Sequence, residues 1–256
     1  MSADTATRRK AAGSYLDRGI AVIPVPAGEK NPNRPGWQDE RLAAEDVPRC
    51  WTNGQNVGLL TGEPSAGRVD ADLDADEAVV VAGRFLPPTL TSGRESRPHS
   101  HWWYACPDAE SRDWKDTDGS KLVELRATGR QTLVWPSTHP SGDGYLWHAG
   151  GVREPAEIGA LELESRLREL ATSTLLARHL PPLRDSKSNE GGGRHDYALA
   201  SAGFLLRSGR LDEGLVLKVL KAAWDAKGWP DEGTKRESHR VTCEYTRWAP
   251  HRASSR

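Results

Sequence analysis

The stretch Val69-Asp70-Ala71-Asp72-Leu73-Asp74 constrains this chain more than any other. Carboxylates stand at every second position, directly after the apolar run NVGLLTG. A β-strand sends residues i, i+2 and i+4 to one face. Asp70, Asp72 and Asp74 would then crowd together, and like charges that close disfavour one another. Aspartate is also a poor strand former. Such a strand is tolerated where a cation meets that face, or where the strand end opens to water. The anomaly recurs downstream. In HSHWWYA, alternation places His99, His101 and Trp103 on one face and Ser100, Trp102 and Tyr104 on the other. In KLVELRA, Glu124 points away from its apolar neighbours Val123 and Leu125. Acidic oxygens on neighbouring strands suit a hard divalent ion. Two such ions can bind the attacking and leaving oxygens of a phosphoryl transfer.

Composition narrows the setting. The 256 residues suffice for one large domain, or a medium domain with a small one. Lys and Arg number 35 against 36 Asp and Glu, so any surface for a polyanion must be local. Mean hydropathy is −0.67 and no apolar run is long enough to span a bilayer. The start MSADTATRRK lacks the apolar core of a signal peptide. Cys50, Cys106 and Cys243 lie far apart, which argues against a disulfide framework or a zinc knuckle. A soluble cytoplasmic protein is expected, with no membrane partner.

The pattern predicts two parts. A helix over about 7–18 leads into a strand, IAVIPV, and then into the Pro- and Gly-rich loop AGEKNPNRPGWQ. Strands follow around NVGLLTG and GRVDADLD, then a helix over about 76–84, a loop LTSGRESRP, and the strands HSHWWYA, KLVELRA and QTLVWP. STHPSGDGYLW reads as a turn into a further short strand, and a helix is expected from about Pro155 to Leu180, ended by Pro181-Pro182. Strands outnumber helices without regular alternation, so the fold class is α+β. RDSKSNEGGGR reads as a polar linker, and everything after it as helices. Residues 216, 220 and 223 share one helical face, and Thr234 with Glu237 has capping-box spacing. The expected domains are 1–184 and 185–256.

Three of these segments, in this order, resemble the bifunctional primase-polymerases of the archaeo-eukaryotic primase superfamily, found on plasmids, phages and mobile elements. The family's acidic pair at a strand end is matched by Asp72-Leu73-Asp74. Its strand histidine after a small polar residue is matched by Ser100-His101. Its later carboxylate after an apolar residue is matched by Glu124 in LVELR. IAVIPVPAGEKNPNRPGWQ resembles the family's first strand and loop, and LVWPSTHPSGDGYLW resembles its Pro-Ser-x-His-Pro-Ser-Gly loop. The likeness covers about residues 10–150. Two departures stand out. His99 occupies the place where the family's Ser-x-His motif has its serine, and Asp70 adds a third carboxylate, so the metal pair is either Asp70/Asp72 or Asp72/Asp74. The second is preferred, because Asp70 matches a position that is usually apolar.

The resemblance implies a primase-polymerase catalytic core of mixed β-sheets with flanking helices, followed by a small all-α helical bundle. It implies a DNA primase and DNA-directed polymerase that synthesises and extends primers on a single-stranded DNA template. Asp72, Asp74 and Glu124 would hold two Mg²⁺ or Mn²⁺ ions, with Asp70 as the further candidate ligand. His101 would contact the triphosphate of a dNTP or rNTP. Ser100, Arg97 and Arg94 are further candidates for phosphate, a role that suits arginine, as are Ser137 and His139 for sugar or triphosphate, and Lys30 for phosphate. GGGRHDYALASAGFLLRSG resembles the first helix of the bundle, and Arg194, Lys235, Arg236 and Arg240 are candidate template contacts. A monomer is expected, with a replicative helicase in cis or in trans. Three alternatives are carried beside this reading: a catalytically silent replication initiator, a glycosyltransferase using Asp-x-Asp, and a zinc hydrolase built on His99 and His101.

Overall fold

The computed structural model describes residues 3–148, 154–180, 192–207 and 212–228. They fall into two compact units. The first takes in the described residues up to 75 and those over 86–167; the second takes in 76–85 and the described residues from 168 onward. The fold is α+β, with mainly antiparallel sheets and six α-helices among the described residues. No helix among them is long and apolar enough to cross a membrane. The expected boundary near Asp185, the Pro181-Pro182 stop and the capping box at Thr234 lie outside the described residues.

The first unit opens with α1 (Ala3–Asp17), which turns Ala11, Ala12 and Tyr15 inward. A small sheet pairs β1 (Val22–Val25) with β2 (Asn56–Leu60), and β2 with β8 (Gln131–Val134), all antiparallel. The larger sheet runs β6 (Arg112–Lys115), β7 (Lys121–Arg126), β3 (Arg68–Asp72), β5 (Arg97–Ala105), β4 (Leu90–Arg94), β9 (Tyr145–His148). Val22, Val57, Leu59 and Val134 of the small sheet share one apolar cluster with Trp103 of the larger sheet, Trp51 and the inner face of α1. The two sheets therefore bury facing surfaces against each other, the burial that drives such layers together.

Three expectations are corrected. LTSGRESRP is not a loop: its first half is strand β4. Small polar residues hid the alternation, because Thr91 and Ser92 are buried and satisfied, Ser92 Oγ accepting from Trp103 Nε1 at 2.8 Å. The helix expected from Pro155 begins only at Ala160, as α4 (Ala160–His179). Before it, β10 (Ala156–Glu157) adds in parallel to the end of β5, where Ile158 N–H reaches Ala105 O. The alternation of HSHWWYA also breaks at its first residue. His99 has φ 56°, and the register against β4 slips between Ser92 and Arg94. This β-bulge re-aims His99 away from His101.

Gly93 sits inside that bulge. A Cβ there would lie 2.4 Å from Arg97 O and 2.9 Å from His99 N, both backbone atoms. Gly93→Ala is expected to cost about 1–3 kcal/mol of stability by overpacking, measured by thermal or urea unfolding. An unchanged unfolding midpoint would mean that the hairpin yields freely.

The second unit gathers α3 (Asp76–Val81), the C-terminal part of α4, α5 (Gly192–Arg207) and α6 (Glu213–Ala226). Asp212 caps α6, its carboxylate accepting from Leu215 N–H at 2.8 Å. Val216, Leu220 and Ala223 do share a face, buried with Ala177, Leu180 and Leu205.

Candidate active site

β3 lies between β5 and β7, and the register decides what its aspartates meet. Asp72 stands opposite His101 on one side and opposite Glu124 on the other; Asp70 stands opposite Trp103 and Arg126. Directly paired residues point to the same face. Four strand side chains of opposite charge thus converge: Asp70, Asp72, Glu124 and Arg126, with His101 beside them. The repulsion read from VDADLD is answered from the neighbouring strands.

Arg126 is the main answer. Its guanidinium is paired with Asp72, donates to Glu124 Oε2 at 3.0 Å and lies 3.7 Å from Asp70 Oδ2. It also donates to Thr132 Oγ1 of β8 at 3.1 Å. Lys121 adds a second cation, 2.8 Å from Glu124 Oε2 and 3.6 Å from Asp113. Burial opposes ionisation of Asp72, but Arg126, His101, Arg97 and Lys121 outweigh it and hold its carboxyl below the ordinary range. Glu124 is likewise buried, and Arg126 and Lys121 bring it down. His101 is buried too, yet Asp70 and Asp72 raise it, so the imidazolium is favoured. Its Nδ1 donates to Asp70 Oδ2 at 3.0 Å and lies 3.4 Å from Asp72 Oδ1. Nε2 is the nitrogen left for a ligand.

Asp70 is wholly buried, and its Oδ2 also accepts from Thr132 Oγ1 at 2.6 Å. Through this oxygen it serves the histidine and the facing sheet, while its Oδ1 is buried without a hydrogen-bond partner. Asp74 lies beyond the end of β3. Burial and the neighbouring charge of Asp72 push its carboxyl up to about 6. Its Oδ2 is buried without a hydrogen-bond partner. Asp72, Asp74 and Glu124 each offer an oxygen within 4.8 Å of the others. Three carboxylates at that spacing, one carrying an orphaned buried oxygen, are a donor set that fits a hard divalent cation.

The cluster lines a cavity of about 340 Å³, within the range of small-molecule sites. Lys30, Arg94, Arg97, Ser100, His101 and His139 line it as well. Arg97 is oriented by a bond to Asp74 O at 2.8 Å. His139 is drawn down by burial and by Arg94 and Lys30. Its Nδ1 accepts from Arg94 at 3.3 Å and from Ser141 N–H at 3.1 Å, so the neutral ring carries its proton on Nε2. Tyr145 stands between the histidines, its ring centroid 6.5 Å from His101 and 6.3 Å from His139.

Ser137 does not reach the cavity. Its hydroxyl accepts from Val57 N–H at 2.8 Å and lies 3.2 Å from Val57 O, pinning the loop to β2. Asn56 holds the same loop by bonds to both the N–H and the C=O of Thr138. His99 is elsewhere too: its Nδ1 meets Thr91 Oγ1 at 2.9 Å and its ring packs on His148, so no zinc site joins His99 to His101. Sequence reasoning missed Arg126, Lys121, Thr132 and Tyr145. Arg126 was signalled, since it stands two residues from Glu124 on the same strand face. Arg194 opens α5 with its side chain outside the described residues, as are Lys235, Arg236 and Arg240 entirely.

With that geometry in place, the profile of the Prim-Pol domain, the N-terminal domain of bifunctional DNA primase/polymerases, matches residues 12–161. The chain belongs to this family. The match spans the whole carboxylate cluster and the cavity beside it. It removes the glycosyltransferase reading of Asp-x-Asp. None of the curated proteins matches the chain. As a Prim-Pol domain, the chain belongs among proteins whose substrates are DNA and nucleotides, and its acidic triad is compatible with metal binding.

Proposed function

We propose that this Prim-Pol chain is a DNA primase and DNA polymerase that starts and extends primers on single-stranded DNA, in the replication of a plasmid, phage or mobile element. One observation carries the reading. One cavity is lined both by carboxylates, Asp72, Asp74 and Glu124, and by basic groups, Arg94, Arg97, His101 and His139. That mixed lining fits a nucleoside triphosphate whose phosphates approach bound cations. Asp72, Asp74 and Glu124 are the residues to hold Mg²⁺ or Mn²⁺, two ions in the complete complex. When bound, such ions supply positive charge that activates a primer hydroxyl and stabilises departing pyrophosphate.

The protein's own groups do the rest. His101, whose protonated form Asp70 and Asp72 favour, donates through Nε2 to a phosphate oxygen. Arg94 and Arg97 neutralise phosphate charge, Arg97 from a position fixed by Asp74 O. His139 donates Nε2–H to sugar or phosphate, and Ser100 and Lys30 complete the lining. The catalytic part is assigned to residues 1–184. Template engagement is assigned to residues 185–256, with Arg194, Lys235, Arg236 and Arg240 as phosphate contacts. The protein acts as a monomer beside a replicative helicase, in cis or in trans.

The test is incubation with labelled nucleotides and Mn²⁺ on primed and unprimed single-stranded templates. Extension of the annealed primer and new short products on the unprimed template are expected. DNA binding without incorporation would instead make the chain a silent initiator. Within the same assay, His101→Gln is expected to raise the KM for nucleotide about tenfold and to lower kcat by a similar factor. A donor to a departing phosphate strengthens as charge develops on it. Unchanged kinetics would reduce His101 to a structural residue.

A further inference from the structure

Arg126 sits where the acidic cluster has its highest charge density. It touches three of the four carboxylates at once: Asp72, Glu124 and, at 3.7 Å, Asp70. It does so through Asp72 Oδ2 and Glu124 Oε2, oxygens of two of the three carboxylates that could hold a metal ion. The guanidinium is planar, always charged and forked, which lets it hold two carboxylates together as a cation does. Thr132 Oγ1 fixes it from the facing sheet, so it is not a surface side chain that swings away freely. Only 21% of its side chain is exposed.

We infer that Arg126 is a resident cation of the carboxylate cluster, whose fixed charge beside Asp72 and Glu124 restricts the nucleotide-free protein to a single divalent ion. This rests on the metal reading proposed above. Asp74, which Arg126 does not touch, carries a buried carboxylate oxygen without a hydrogen-bond partner. A second dication beside Arg126 would meet a fixed positive charge within a partly buried site, which is unfavourable until the anionic phosphates of a nucleotide arrive to offset it. Loading of the second ion thereby depends on nucleotide.

Titration of metal-free protein with Mn²⁺, followed by calorimetry and by the paramagnetic resonance of free Mn²⁺, reads both stoichiometry and affinity. The wild-type protein is expected to take one Mn²⁺ without nucleotide. Arg126→Met retains the unbranched stem of the side chain and removes the charged guanidinium. It is expected to take two ions, or to bind the first on the order of tenfold tighter, since a neighbouring cation has gone. Arg126→Lys retains the charge and should behave like the wild type. A purely structural arginine would act in the opposite sense: its loss would loosen the carboxylates and weaken Mn²⁺ binding. Circular dichroism of the variants shows that they are folded; should Arg126→Met fail to fold, the stoichiometry of the wild type and of Arg126→Lys decides. Two ions in the nucleotide-free wild type, or weaker binding in a folded Arg126→Met, overturns the inference. No Mn²⁺ binding by any of the proteins overturns the metal reading itself and this inference with it.

Discussion

Asp72→Asn and Glu124→Gln are each expected to lower nucleotide incorporation by roughly a thousandfold or more, the scale of losing a group that stabilises transition-state charge. Both changes keep the shape of the side chain and remove only its charge. Asp72 is the hub of the cluster: it faces His101 and Glu124 across the sheet and is paired with Arg126. Glu124 is almost fully buried and ties Lys121 and Arg126 to the same point. Removing one carboxylate from a group of four like charges relieves repulsion while it frees part of Arg126, so the fold is expected to persist. Primer extension at saturating nucleotide, with thermal unfolding of each variant, makes the measurement. Extension near the wild-type rate by Asp72→Asn would move the site to other residues.

Asp70→Asn is expected to fall between those variants and the wild type, about 10–100-fold down in kcat/KM, the usual range for a residue that orients a group in the site. Asp70 is wholly buried and spends its Oδ2 on His101 Nδ1 and on Thr132 Oγ1. Asparagine preserves the size but not the charge that keeps His101 protonated. The loss should therefore appear largely as a raised KM for nucleotide, with Mn²⁺ affinity little changed. The measurement also separates the two metal pairings left open by VDADLD. Loss as complete as that of Asp72→Asn, with Mn²⁺ affinity lost, would make Asp70 a ligand. Kinetics equal to the wild type would leave it a packing residue only.

Much of the carboxylate cluster was legible before any coordinates, for a reason rooted in periodicity. A strand alternates faces rigidly, so Asp70 and Asp72, and the inward turn of Glu124 between Val123 and Leu125, follow from spacing alone. Charge in an apolar strand is costly enough to stand out against that pattern. The family likeness rested on these same residues and on their order along the chain, and the matched span of residues 12–161 agrees with it. The α6 face at residues 216, 220 and 223 was legible by the same argument at helical spacing.

What spacing could not supply was register and partnership. Nothing in KLVELRA says that Arg126 leans across β7 and β3 to hold Asp72, or that Thr132 of the other sheet closes the arrangement; both depend on which strands neighbour which. The alternation of HSHWWYA assigned His99 to the wrong face, because one bulge residue at positive φ reverses the direction of everything before it. Ser137 lay inside a phosphate-like motif yet spends its hydroxyl on β2, since a buried loop must satisfy its hydrogen bonds first. Strand β4 went unread because Thr and Ser are buried there by bonds that only its neighbours provide. Local sequence thus settled which residues bear charge on which strand face. The pairing of β3 between β5 and β7 alone decided which of them meet, because electrostatic energy depends on distances that no single strand contains.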